Sequence, residues 1–268
     1  MANYKKKRAR ELKHDRFRDT TMLLADRLAE RVAGRGRQIL YGLLAVVLIA
    51  VAVYGIVRWR NKHTQEAEQS LGRAIAITRA EISAAPAPNS KEPVFGTEQE
   101  RAQRAIDEFQ KVAAKYGEPF RSEARYFIAT NLLVTDRAKG MGELQSLAQG
   151  SGETAVLAKF ALAQAKEADG SFDQAVALYA ELAQVNSLIV PPESANLRLA
   201  SVYNKQGKKK EAADLLFYMI DTARKAKDKD GKPAPESSAA REAGQLLKKI
   251  DPPRWAQLAP ATVPDLSF

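Results

Sequence analysis

The 268-residue chain has no cysteine, which excludes disulfides, thiol nucleophiles and Cys-ligated zinc. Histidine is almost as scarce. His14 and His63 are the two present, and they flank a long apolar run that implies a membrane between them, so they cannot share a metal ion. Both read as surface residues. The sequence has no GxxxxGK[ST] loop, no HExxH and no GxSxG, hence no signature of a nucleotide site, a metalloprotease or a serine hydrolase. Long polar/apolar alternation, the mark of half-buried strands, is missing as well. Acids and bases abound, as in EQERAQRAIDEFQK (98–111), but they interleave along helical faces as solvated side chains do. From these absences we expect a protein that is not an enzyme, with no catalytic residues, no cofactor and no bound metal.

What is present begins with GRGRQILYGLLAVVLIAVAVYGIVRWRNK (34–62). The stretch from Ile39 to Val57 carries no charge; at roughly 1.5 Å per residue its length is about 28 Å, close to the hydrocarbon thickness of a bilayer. A secretory signal has a short basic head, a shorter apolar stretch and a small-residue cleavage site just beyond it. Here 38 residues precede the run, Arg58, Trp59 and Arg60 follow it directly, and Ser83-Ala84-Ala85 stands too far downstream to be cut. The run therefore reads as an uncleaved single-pass transmembrane helix with span ends at Ile39 and Val57. Tyr41, Tyr54 and Trp59 suit the headgroup belt.

Charge sets the expected orientation. Residues 1–62 hold 15 Lys/Arg, 12 of them before the span, against five acids, while residues 63–268 hold 27 of each sign. The basic excess thus lies beside the span, where the positive-inside rule accounts for it and no nucleic-acid partner is needed. It places the N-terminus in the cytoplasm. Within the head, YKKKRAR (4–10) is a candidate site for anionic lipid. Residues 10–34 read as a helix, with Phe17, Leu24, Leu28 and Val32 at helical spacing; it either lies in the membrane interface or is a solvated charged helix.

Beyond the span one helical face follows another. Ala102, Ala105, Ile106, Phe109, Val112, Ala113 and Tyr116 form the clearest; others run through Ala124, Phe127 and Ile128, through Val156, Leu157 and Phe160, and through Leu215, Leu216 and Met219. The fold class is all-α. The helices also pair with a period: when AKFALAQAKEADGSFDQAVALYAEL (158–182) is laid on NLRLASVYNKQGKKKEAADLLFYMI (196–220), Gly170 meets Gly207, Ala163 meets Ala200 and Ala175 meets Ala212, with Tyr203 on the first-helix seam. A small residue on each helix permits close approach, the glycine reverses the chain, and bulky residues fill the seam.

These residues resemble tetratricopeptide repeats, in the single-span form of bacterial inner-membrane proteins similar to the ancillary subunit of the Sec translocon. AIDEFQKVAAKYGEPFRSEARYFIATNLL (105–133) is similar to a second helix followed by the next first helix, and RELKHDRFRDTTMLLADRLAERVAGRGRQILYG (10–42) to the basic lead-in of that group. The first helices depart from the pattern in lacking the usual tryptophan, with Lys159 and Asn196 in that turn; GMGELQSLAQG (140–150) departs as a second helix. The organisation expected is a basic cytoplasmic tail (1–38), a transmembrane helix (39–57), an extended helix and Pro-rich linker (58–96), a tetratricopeptide-like repeat domain (97–250) and a Pro-rich C-terminal tail (251–268) with too much proline for a helix. KAKDKDGKPAPESS (225–238) is either a disordered loop or a long connection. Trp255, Leu258, Leu266 and Phe268 are expected to pack back on the repeats.

The resemblance implies a bacterial inner-membrane location with the repeat domain in the periplasm. It implies a scaffold for protein partners, either the Sec translocon and exported polypeptides, with a translocation-accessory or chaperone role, or another envelope complex of which the chain is a structural or assembly subunit. It also implies a concave groove lined by first helices, with Arg125, Lys159 and Asn196 as candidate groove residues.

Overall fold

The computed structural model describes residues 36–83, 93–258 and 260. The N-terminal readings, the lipid-binding YKKKRAR stretch and the helix at 10–34, lie outside the described residues, as do Leu266 and Phe268. The chain divides into two compact units between Glu66 and Ala67, and each is described by itself.

In the first unit runs the larger part of helix α1 (Gly36–Thr78). It is long and apolar enough to cross a membrane by length and composition. Its apolar side chains face outward, from Leu40 to Val57, the reverse of what water selects in a core helix.

The second unit starts with the last turns of α1. Ala67, Leu71 and Ala74 are buried against Ala105, Phe109, Val112 and Tyr116 of the next helix region, so α1 ends as the first helix of a pair. This corrects the expected boundary: the segment 67–78 belongs to the repeat domain, and the Pro-rich stretch sits inside its first helix pair instead of ahead of the domain. Two short parallel strands, β1 (Glu81–Ile82) and β2 (Val94–Phe95), bracket that stretch, and Ser83 N–H donates to Phe95 O at 2.9 Å.

Helix α2 (Glu98–Lys115) opens on a reciprocal cap: Thr97 Oγ1 accepts from Glu100 N–H at 3.1 Å while Glu100 Oε2 accepts from Gly96 N–H at 3.0 Å, satisfying two donors that the helix start leaves free. Its buried residues are Ala102, Ala105, Ile106, Phe109 and Val112, one face at helical spacing. The ring of Phe109 stacks on Phe127, centroids 4.8 Å apart, and Tyr116 Oη lies 3.2 Å from Ser70 Oγ.

Helices α3 (Phe120–Thr135) and α4 (Arg137–Ala148) are joined by Asp136 alone, whose Oδ1 accepts from Lys139 N–H. So tight a turn presses the helices together. A Cβ on Gly140 would stand 2.7 Å from Leu133 N and 2.9 Å from Ala129 O, which explains the glycine that made this second helix look atypical in sequence.

Two further pairs follow, α5 (Glu153–Ala168) with α6 (Phe172–Leu182) and α7 (Pro192–Lys205) with α8 (Lys209–Lys225). Their turns coincide bond for bond. Gly170 has φ 73° and Gly207 φ 77°; Ser171 N–H donates to Lys166 O and Lys208 N–H to Tyr203 O, both at 2.9 Å. That is the left-handed helix stop in which glycine carries no Cβ penalty.

Helix α9 (Ser238–Ile250) caps the stack, with Ser237 Oγ accepting from Ala240 N–H. Ahead of it the 226–237 connection is folded: Asp228 N–H donates to Lys232 O at 2.8 Å and Ala234 N–H to Ala226 O at 2.9 Å around Gly231. A last short helix, α10 (Pro252–Trp255), corrects the reading that proline forbids one here. Pro occupies the first helical positions, where the missing N–H costs nothing. Trp255 and Leu258 pack on the cluster of Leu216, Ile220, Ala243 and Leu247, and the Arg224 guanidinium lies 5.2 Å from the Trp255 ring centroid.

From α2 onward each helix packs on the next, and first helices also pack on first helices, α3 on α5 and α7 on α9. Contacts between neighbours alone define a solenoid.

Candidate functional site

The repeat-signature residues occupy the seams. Ala163, Ala175, Ala200 and Ala212 are each fully buried. Ala163 and Ala175 share a cluster with Tyr179, Leu182, Leu199 and Val202, against which Tyr203 is half-buried. Ala200 sits in the next cluster, with Ala213 and Leu216. Gly170 and Gly207 are the turn residues already described.

One polar device pins three helices in the middle of the stack. Tyr179 Oη on α6 donates to Glu167 Oε2 on α5 at 3.0 Å, and Lys205 Nζ on α7 donates to Glu167 Oε1 at 2.6 Å. Burial first, and then the Glu167 charge, pushes the Tyr179 phenol well above its ordinary range. A nearby ion pair, Arg137 with Asp169, ties the start of α4 to the end of α5. These contacts link α5 to α6 and α7, and α4 to α5.

The side where first helices meet is the candidate interaction surface. Between α7 and α9 it holds a cleft of about 290 Å³, with Leu197 and Leu246 as apolar lining and Arg198, Ser201, Glu242 and Lys249 as polar lining. Farther along, Glu123 on α3 has its carboxyl held above the usual range, chiefly by burial and then by the charge of Glu153 on α5. The two acids thus act on one another across adjacent first helices.

Two of the three expected groove residues, Arg125 and Lys159, lie elsewhere, and this is a correction. Arg125 Nη2 pairs with Glu143 Oε2 of α4 at 2.8 Å, above a hollow of about 470 Å³ lined by α2, α3 and α4. Lys159 Nζ pairs with Glu181 Oε2 of α6 at 2.7 Å. Asn196 holds the equivalent position on α7, 37 residues after Lys159, and is half-buried. The first two are turned toward second helices. The reason is helical phase: Lys159 and Asn196 stand eleven residues before Gly170 and Gly207, whereas the inner cleft is built from residues such as Leu197, Arg198 and Ser201, one, two and five positions after Asn196. At roughly 100° per residue a small error in position exchanges the two sides of a helix.

Sequence reasoning also missed an exposed apolar tip. In the α6–α7 connection Leu188 is 96% exposed, and Ile189 beside it is also exposed. The backbone there is held by Ser187 Oγ, which accepts from Ile189 and Val190 N–H. The signal was legible as NSLIVPP, an apolar run with no helical face to join. Among the described residues, no three His, Cys, Asp or Glu side chains gather as a metal site.

No family model matches the chain, and no curated protein matches it. Among solved structures it is similar to the nearly identical TPR-like repeats of a protein described as a kinesin light chain from Podosopora anserina, with 14% identity and a TM-score of 0.50 over 70% of this chain and 86% of that chain. At that identity the likeness concerns the fold: a tetratricopeptide-like stack of helix pairs.

Proposed function

We propose that the chain is a non-catalytic, membrane-anchored scaffold that binds protein segments on the side where α3, α5, α7 and α9 meet. The observation that carries this reading is the repetition itself: helix pairs reversed by matching glycine turns align their first helices side by side, and such a surface suits an extended or helical polypeptide. The α7–α9 cleft, with a leucine on each wall and charges of both signs around it, offers an apolar anchor point and polar partners.

Location and process are part of the same proposal. The basic residues before Ile39 favour a cytoplasmic N-terminus and a repeat domain on the far, periplasmic side of a bacterial inner membrane. Its resemblance to the translocon-associated group favours a role beside the Sec translocon or with exported polypeptides. The fixed, exposed Leu188 tip favours a second reading, a structural or assembly subunit of another envelope complex, because a rigid apolar protrusion suits a permanent contact.

Photo-crosslinking in native membranes from probes at Arg198, Ser201 and Gln245 tests this. Crosslinks to translocon subunits or exported chains are the expected result. Crosslinks restricted to one unrelated membrane complex, with Leu188 probes giving the same partner, establish the second reading. A probe at Arg125 should crosslink far less than one at Ser201, since it sits on the other side of α3.

A further inference from the structure

We propose that the turns of α1 just past its apolar run bind the phosphodiester headgroup of an anionic phospholipid through Arg58 and Lys62. The inference rests on reading 39–57 as a membrane span. Tyr54, Val57, Arg58, Asn61, Lys62 and Gln65 line a hollow of about 410 Å³. Their spacing, i, i+3, i+4, i+7, i+8 and i+11, puts them on one face of the helix.

That face has a charge problem that an anion solves. Arg58 and Lys62 stand four residues apart, both exposed, a spacing at which like charges repel along a helix. The acid nearest to Arg58 in sequence is Glu66, two turns farther on and one turn past Lys62, so no acid stands within one turn of Arg58 or on the span side of the pair. A phosphodiester placed between them turns the repulsion into charge-assisted hydrogen bonds, with the flat guanidinium gripping two oxygens and the ammonium a third.

The other groups match the remainder of a lipid. Val57 meets the first acyl carbons where the apolar run ends, the Tyr54 phenol belongs at headgroup depth, and the Asn61 and Gln65 amides reach outward to glycerol or headgroup hydroxyls. The side chains on neighbouring faces do something else: Trp59 stacks on His63 at 5.5 Å between ring centroids. Basic residues just beyond a span run against the positive-inside bias; a headgroup site gives Arg58 and Lys62 a function there.

The test uses the full chain in nanodiscs of mixed phosphatidylcholine and phosphatidylglycerol, released for native mass spectrometry. Preferential retention of phosphatidylglycerol is expected, falling about fivefold with each of Arg58→Gln and Lys62→Gln and unchanged by Arg60→Gln, which points from a different face. Equal retention of the two lipids overturns the proposal, and so does a loss in Arg60→Gln as large as in Arg58→Gln. Displacement of the lipid by excess inorganic phosphate would assign the site to a soluble anion and overturn it too. Alkaline carbonate extraction of cell membranes separates the two levels. If the chain is extracted, the membrane span itself is wrong; if it stays in the membrane yet shows no lipid preference, the headgroup site alone is wrong.

Discussion

At the residue scale, the alanines of the seams do the same work twice. Ala175 and Ala212 are fully buried at equivalent places on α6 and α8, with no room for three more carbons. Ala175→Leu or Ala212→Leu should destabilise the repeat domain by about 1 to 3 kcal/mol, against little change for Lys209→Leu on the exposed side. Urea unfolding of the full chain in mild detergent, followed by circular dichroism, reads the difference; identical midpoints for all three variants would contradict the seam assignment. Tyr179 makes a separate prediction. Its phenol is raised above the unfolded value of about 10, so the stability it contributes is complete below that pH and is lost as the pH climbs past it. Melting temperature should therefore fall with alkali less steeply in Tyr179→Phe than in the parent. Parallel curves would show that the fold does not oppose ionisation of the Tyr179 phenol.

At the element scale the turns carry the periodicity. Gly170 and Gly207 both lie in the left-handed region with φ near 75°, where a Cβ costs roughly 1 to 2 kcal/mol. Gly170→Ala and Gly207→Ala should each lower stability by about that amount and, being in different turns, add nearly independently. Alanine at Gly42, a helical position with nothing within 4 Å of an added Cβ, is the control. The α3–α4 pair obeys a different constraint, because there the glycine is needed for proximity: Gly140→Ala would put a methyl against the Leu133 and Ala129 backbone and should splay the two helices. A loss of the Arg125–Glu143 pair, seen as a coupling energy that vanishes when the Arg125/Glu143 double-mutant cycle is repeated in the Gly140→Ala background, is the check; an unchanged coupling would show that the helices have not splayed.

At the scale of the whole molecule the prediction is topology. The chain has no native cysteine, so single cysteines at Ala2 and Ser237 report cleanly to an impermeant maleimide added to intact spheroplasts. Ser237 should react and Ala2 should not until the membrane is opened. The reverse pattern would invert the orientation deduced from charge, and with it the periplasmic part of the proposed function.

Periodicity and composition by themselves determined the all-α class, the apolar helix, the buried face of α2 from Ala102 to Val112 and the pairing of α5–α6 with α7–α8. Those features depend on spacing along one helix or on one glycine's backbone freedom, which are local properties. Tertiary structure alone decided where the repeat domain begins, because Ala67, Leu71 and Ala74 look like any amphipathic turn until Phe109 and Tyr116 fold back across the Pro-rich stretch to cover them. It also decided which side Arg125 and Lys159 occupy, through Glu143 and Glu181 on neighbouring helices. A helix's own sequence sets its apolar arc, but which of its polar flanks faces a groove depends on how the partner helices cross it.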